Sequence, residues 1–577
     1  MSADSKTQLA DLLRAALLSV APEQADTPIN LERPKQAGHG DFASNLALQL
    51  AKPLKRNPRE LAGLLLAELP ASSLVAKAEV AGAGFINFTL ASDAKTAVVQ
   101  RVLEQGEAFG RGQKSGVKVQ VEFVSANPTG PLHVGHGRGA AYGASLSDVL
   151  DFAGFDVTRE YYINDAGRQM DILALSTWLR YLDLFGITVA FPPNAYQGDY
   201  VKEMAAQIKE GHGNRFAAVT AADVLQDAPS VEADKEGHLD ALIANAKRLL
   251  ASDYAWVHGF ALTEQLGDGR EDLEEFGVTF DKWFSERSLF DTGLVEKAVT
   301  ELEARGHLYV QDGAKWFRST AFGDEKDRVV QRENGLFTYF ASDIAYHANK
   351  YERGFDRIID IWGADHHGYI PRVKGALQAL GLPPEKLDVA LVQFAVLYRD
   401  GQKAAMSTRS GEFVTLRELR NEVGNDACRF FYVLRKADQH LDFDLDLAKS
   451  QSNENPVYYI QYAHARLCSV LGQWNGVLAD LGGADLGRLD NERELALCAR
   501  LTAFPEVVQN AAADYAPHQI AFYLKDLAGE FHSYYNAERM LVDDEGLKLA
   551  RLALAAAVRQ VIRNGLALLG VSAPDSM

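Results

Sequence analysis

The stretch Val117–Asp165, "VKVQVEFVSANPTGPLHVGHGRGAAYGASLSDVLDFAGFDVTREYYIND", constrains the fold more than any other part of the chain. It opens on an alternating β-branched run and passes through a turn rich in proline and glycine. A helical run ending in Gly154 follows, and then a second strand-like run. Two strands joined through a helix pair in parallel, so the stretch reads as a βαβ unit of a parallel sheet with helices on its faces. Ligands of such sheets bind beyond the carboxyl ends of the strands. The turn Ser125–Gly139 stands at one of those ends.

At 577 residues the chain exceeds what one core can serve, so several domains are expected. Residues 1–111 read as a small α+β module. In "NPRELAGLLLAELP" an Asn cap and a Pro precede apolar residues at helical spacing, and "AGAGFINFTL" reads as a strand. "TAVVQRVLEQGEAFGRG" is a further helix, and the glycines after it mark a boundary near 111. The segment 167–330 is rich in helical pattern and reads as an insertion splitting the sheet, whose strands return at "RIIDIWGADHHG" and "VALVQFAVLYRDG". The catalytic unit is thus placed at 112–441, and 442–577 reads as an all-helical domain.

A formal net charge of −19 argues against non-specific DNA binding, which depends on many cations displacing counterions. Local basic patches on such a chain can still read a folded RNA. Cys428, Cys468 and Cys498 form no Cys-x-x-Cys pair, so buried thiols are expected and neither a disulfide framework nor a thiolate zinc site is. The opening "MSADSKTQLADLL" has no secretory pattern, and no uncharged apolar run reaches about 18 residues. A cytoplasmic protein without membrane association is expected.

Three chemistries compete for His133 and His136. As metal ligands they have poor spacing and no Cys or Glu companion, and no metal site is expected. As general bases they lack a nucleophile, since Ser125 and Thr129 stand in a proline-rich loop without a nucleophile elbow. As donors to a phosphate they suit their surroundings, because Gly135, Gly137 and Gly139 permit close approach and a helix begins here. Two histidines packed in a turn remain the plain alternative.

"HVGH" resembles the HIGH signature of class I aminoacyl-tRNA synthetases, and "SANPTGPLHVGHGRG" with "YYINDAGRQ" resembles the arginyl-tRNA synthetase family in particular. "QAGHGDFASNLALQLAK" and "GAGFINFTL" are similar to that family's additional N-terminal domain. "GNDACRFFYVLRKADQHLDFDLDLAKSQSNENPVYYIQYAHARLCS" is similar to its junction into a helical anticodon-binding domain. The resemblance implies a multidomain α/β protein: a Rossmann-like catalytic domain with a helical insertion, an α+β N-terminal domain and an all-α C-terminal bundle. It implies arginine, ATP with Mg2+ and tRNA(Arg) as substrates and partners, and a monomer.

By the same resemblance His133 and His136 donate to the α-phosphate. Glu122 and Asp343 hold the guanidinium, Tyr339 flanks it, and Ser125 and Asn127 orient the α-amino and carboxylate ends. Glu122 also reads as an outward polar residue on an alternating strand. The second class I signature, KMSKS, falls in "GQKAAMSTRSGEFVTL", where both consensus lysines are missing; Met406 and Ser407 remain, and Lys403 or Arg409 substitutes as the pyrophosphate partner or belongs to a plain solvated loop. Asp365, His366 and His367 in "GADHHGY" are secondary candidates for nucleotide, substrate or metal. Tyr458, Tyr459 and Tyr462 stack on anticodon bases or pack, and His39 and Asn45 belong to the tRNA-facing N-terminal module. The rivals are a small-substrate nucleotidyltransferase sharing the HIGH-like turn and a synthetase-like RNA-binding protein without catalysis.

Overall fold

In the computed structural model, residues 5–34, 39–404 and 414–577 are described. The βαβ unit forms as its pattern predicts: strand β1 (Lys118–Glu122), helix α1 (Val134–Phe152) and strand β2 (Asp156–Ile163). Three more strands complete an all-parallel sheet: β3 (Lys282–Ser285), β4 (Arg357–Gly363) and β5 (Leu387–Val392), in the order β5-β4-β1-β2-β3. Strand order reverses beside β1, so the turn after β1 lies at a topological switch point, where α/β sheets bind ligands.

The segment expected as a helical insertion differs in part. Helix α2 (Arg168–Asp183) and the helices Asp199–His212, Lys235–Leu250 and Ser252–Glu275 fill it as far as Glu275, around a core that includes Trp178, Leu239 and Leu242. The chain then returns to the sheet as β3 and makes a three-stranded antiparallel sheet from Leu308–Gln311, Ala314–Phe317 and Arg328–Gln331. Four-residue strands are too short for a period to show in sequence; their partners define them. Helix α3 (Tyr339–Glu352) leads into β4.

The N-terminal module is a four-stranded antiparallel sheet with helices Ser5–Val20, Leu46–Leu54 and Pro58–Ala67. Asn57 caps the last of these, its side-chain oxygen accepting from the Arg59 N–H at 2.8 Å, with Pro58 in the first turn. Helix Ser92–Gln105 leaves this module and buries Val98, Val99 and Val102 in the core shared by the catalytic unit and the C-terminal helices. That bundle comprises α4 (Pro456–Trp474), α5 (Glu492–Ala513), α6 (His518–Ala537) and α7 (Glu545–Leu568). Among the described residues no helix is long and apolar enough to cross a membrane.

Candidate functional site

The histidine turn caps its own helix. Nδ1 of His133 accepts from the Gly135 N–H at 3.1 Å, and Nδ1 of His136 accepts from the His133 N–H at 3.3 Å. The rings stack with centroids 3.7 Å apart. Since each Nδ1 is an acceptor, each ring proton sits on Nε2. Burial pushes His136 down to about 3, with His133 adding to the fall, and burial lowers His133 as well. Both are neutral N–H donors near pH 7.

The backbone contribution expected from the glycines is corrected. Val134 N–H donates to Val414 O at 3.0 Å, Gly135 N–H to the His133 ring, and His136 N–H to His133 O at 2.9 Å, so the first amides of α1 are consumed inside the protein. An anion here meets imidazole N–H groups and the helix dipole. Gly137 serves packing: a Cβ there would stand 2.7 Å from the Tyr432 hydroxyl, which donates to Val134 O. A Cβ on Gly139 would meet nothing within 4 Å, and only this glycine leaves open room. Arg138, 1% exposed, holds α1 in place by donating to the carbonyls of Gln393, Lys436 and Gln439 at 2.7–2.9 Å.

Between β1 and this turn, Val124 (φ 68°) and Ser125 (φ 43°) adopt left-handed backbone, a strain of about 1–3 kcal/mol each that surrounding bonds must hold. Ser125 Oγ donates to Glu122 Oε1 (2.9 Å) and accepts from the Tyr162 N–H (3.1 Å), while Asn164 donates to Ser125 O (3.0 Å). Asn127 is exposed.

The parallel register sets Asp360, Glu122 and Glu160 side by side on β4, β1 and β2. All three therefore face the same side of the sheet. Helix α3 lies over them and supplies the partners. Lys350 Nζ donates to Glu122 Oε2 (2.5 Å) and Asp360 Oδ1 (2.7 Å); Arg353 donates to both Glu160 oxygens (2.5 and 2.9 Å) and the Tyr346 hydroxyl to Glu160 Oε1 (2.6 Å). The two ring nitrogens of His347 face Asp343 O and Asp360 Oδ2, each at 2.7 Å. Burial opposes the charge on Asp360, yet Lys350 and His347 outweigh it and hold the carboxyl down to about 2. Burial raises Glu122, with Lys350 opposing. Lys350 was not among the candidates; one acid in each of three apolar strands was the signal that could have found it.

Asp343 lies on the second turn of α3, where the Tyr369 hydroxyl donates to it and burial raises its carboxyl. Tyr339, 60% exposed, starts that helix with its hydroxyl against Gly167. Glu122, bonded to Ser125, and Asp343 thus share Lys350, His347 and Asp360 as charged neighbours and belong to one acidic cluster. Asp365, His366 and His367 are exposed on the short turn after β4, with Asp365 and His366 3.7 Å apart. Lys403 is exposed on a two-residue strand. Met406, Ser407 and Arg409 lie outside the described residues. Just after them in sequence, Leu416 N–H donates to Leu132 O at 2.8 Å, and Thr415 bridges to His133.

The remaining candidates lie on the C-terminal bundle and the N-terminal module. Tyr458 and Tyr462 stack at 5.9 Å on α4, Tyr459 and Tyr462 border His532, and Arg466 covers Tyr462 at 4.5 Å; the three tyrosines are half-buried. Asn45 precedes helix Leu46–Leu54 and accepts from Gln49, and His39 is exposed. One cluster of metal-ligating types occurs among the described residues, His464, Cys468 and Asp575. Its atoms are engaged in the C-terminal bundle, His464 Nδ1 with Pro574 O and Cys468 Sγ with Asp575.

Comparison with known proteins matches the chain segment by segment. Residues 7–90 match the arginyl tRNA synthetase N terminal domain, residues 98–183 and 271–440 the catalytic domain of tRNA synthetases class I (R), and residues 460–577 the DALR anticodon binding domain. The break at 183–271 coincides with the helical insertion, and the first match ends before helix Ser92–Gln105. An arginine--tRNA ligase of Azoarcus sp. (strain BH72) is 80% identical over the full length of both chains. A Campylobacter jejuni structure described as a putative arginyl tRNA synthetase superposes with a TM-score of 0.75 at 32% identity, over 85% of this chain and 100% of that one. The Thermus thermophilus arginyl-tRNA synthetase shares the fold, with a TM-score of 0.73 at 24% identity over 99% of this chain and 100% of its own. With all three domain matches in the order of the observed units, and relatives alike from end to end, the chain belongs to the arginyl-tRNA synthetase family.

Proposed function

We propose that the protein activates L-arginine with ATP, forming arginyl-adenylate and pyrophosphate, and transfers the arginyl group to the 2′-hydroxyl of the terminal adenosine of tRNA(Arg), releasing AMP. The observation that carries this reading is the pair of neutral imidazole donors at the start of α1, on the turn that follows the strand bearing Glu122 of the acidic cluster. The arginine carboxylate attacks the α-phosphorus, a step that needs positioning and donors more than proton transfer. Nε2–H of His133 and of His136 serves the phosphate oxygens, and the amino end of α1 adds its dipole.

Glu122 and Asp343 take the guanidinium beside Tyr339, and Ser125 and Asn127 orient the α-amino and carboxylate groups. The left-handed backbone at Val124 and Ser125 supports this, since strain of that kind persists where a site needs a group held in one place. Lys403 or Arg409 suits the departing pyrophosphate, and Val414, Thr415 and Leu416, just after that signature, are bonded to the histidine turn. Imidazole donors suit a polyphosphate, and no carboxylate cage for a metal adjoins them among the described residues, so Mg2+ would be carried by the nucleotide. It neutralises phosphate charge. Tyr458, Tyr459 and Tyr462 with Arg466 form an aromatic and cationic surface suited to anticodon bases, and the module bearing His39 and Asn45 meets the tRNA elsewhere. A monomer working in the cytoplasm completes the reading.

The test is amino-acid-dependent exchange of pyrophosphate into ATP in the presence of tRNA. Arginine alone among the amino acids should drive it; exchange driven by another amino acid, or tRNA binding without any exchange, refutes the reading.

A further inference from the structure

Helix α4 carries a second set of chemistry-bearing side chains, which arginine activation does not use. His464 and Cys468 are four residues apart and so share one face of the helix. The end of the chain crosses that face. Gln461 Nε2 donates to Ser572 O (2.9 Å) and the Ser572 N–H to Asp426 Oδ1 (3.0 Å), while His464 Nδ1 donates to Pro574 O (2.9 Å). These bonds set Asp575 over Cys468. The Cys468 sulfur is 3.7 Å from His464 Nδ1 and 3.4 Å from Asp575 Oδ1, and one ligand atom from each of the three residues lies within 4.8 Å of the others. Bonds of about 2.3 Å to sulfur and about 2.0–2.2 Å to nitrogen or oxygen give a tetrahedral zinc site edges of about 3.6 Å between sulfur and the other two ligands. Both observed separations match that edge to about 0.2 Å, the tolerance of a built site. His464 is buried, Cys468 half-buried and Asp575 exposed, so the cluster is open to an ion from the solvent side.

We propose that His464, Cys468 and Asp575 form a zinc site that clasps the C-terminal tail onto α4, with Pro574 O or water in the fourth position. On binding, the thiol proton passes to solvent and the imidazole proton moves from Nδ1 to Nε2, which leaves a thiolate, a ring nitrogen and a carboxylate as ligands. Arg559 and Arg563 stand near; they favour the thiolate and oppose an added cation. The site therefore suits a borderline-soft ion that bonds to sulfur, and not Mg2+, which prefers oxygen. Cysteine spacing gave no sign of it, because the third ligand stands 107 positions beyond Cys468.

Titration of Co2+ into the chelator-treated full-length protein tests this, since a thiolate on Co2+ gives a near-ultraviolet charge-transfer band that a histidine or carboxylate site does not. Cys428 and Cys498 are each 0% exposed, so the band reports Cys468. One Co2+ per chain should raise the band, Zn2+ should abolish it and Mg2+ should leave it unchanged. C468S should show no band. D575N should bind Zn2+ at least about 10-fold more weakly, the scale of a lost outer-shell partner. Zn2+ should raise the thermal midpoint of the wild-type protein and not that of C468S. A wild-type protein without the band, or equal Zn2+ affinity in the wild type and D575N, overturns the proposal. Zn2+ bound as tightly by C468S places the ion elsewhere and overturns it too. Should C468S fail to fold, D575N decides, because Asp575 is exposed and outside the packed core.

Discussion

Replacing Lys350 by Met keeps length and apolar volume and removes one charge from beneath α3. Three carboxylates share that space, and Lys350, itself fully buried, is bonded to two of them. Holding Asp360 at about 2 instead of the ordinary 3.8 corresponds to about 2 kcal/mol in favour of its ionised form. Removing one member of a buried pair leaves its partners uncompensated, which costs about 3–5 kcal/mol. We expect K350M to lose that much stability at pH 7. In the wild-type protein the Asp360 contribution is present above about pH 4 and lost as pH falls through about 2. In K350M the sign inverts. Glu122 and Asp360 would then titrate above their unfolded values, so the penalty is full at pH 7 and shrinks as acid neutralises them. Urea unfolding followed by tryptophan fluorescence reports it, because Trp362 is on β4 and Trp283 on β3. The double variant K350M/D360N should recover part of the loss. A penalty below about 1 kcal/mol, or one equal at pH 7 and pH 5, refutes the reasoning.

H136A should lose about 2–4 kcal/mol of activation, or about 30- to 1000-fold in rate, as for one transition-state donor; unchanged exchange would reject the phosphate role. Because burial holds His136 near 3, kcat at saturating arginine should show no histidine ionisation between about pH 6 and 8. G137A drives a Cβ into the Tyr432 ring and should cost about 1–3 kcal/mol in thermal unfolding, whereas G139A should unfold like the wild type. Y462A removes a ring that Arg466 covers and should weaken tRNA binding by about 1–3 kcal/mol without altering the KM for arginine; equal affinity would mark these tyrosines as packing.

Local order was legible in the chain itself. The βαβ unit, the placing of His133 and His136 at the carboxyl end of β1, and the Asn57-Pro58 helix start all follow from spacings within about twenty residues. Such features depend on neighbours along the chain, so periodicity and caps report them. Ser92–Gln105 reads as a helix whichever core receives it, and only packing sends Val98, Val99 and Val102 to the C-terminal side. The amides of α1 looked open to an anion until the imidazole rings took them. Most of all, the acidic cluster belongs to tertiary structure. Glu122, Glu160 and Asp360 come into one row only through strand register, and Lys350, Arg353 and Tyr346 reach them from a helix far along the chain from β1 and β2. Register and burial are set by partners distant along the chain, and a linear pattern carries no record of which partners those are.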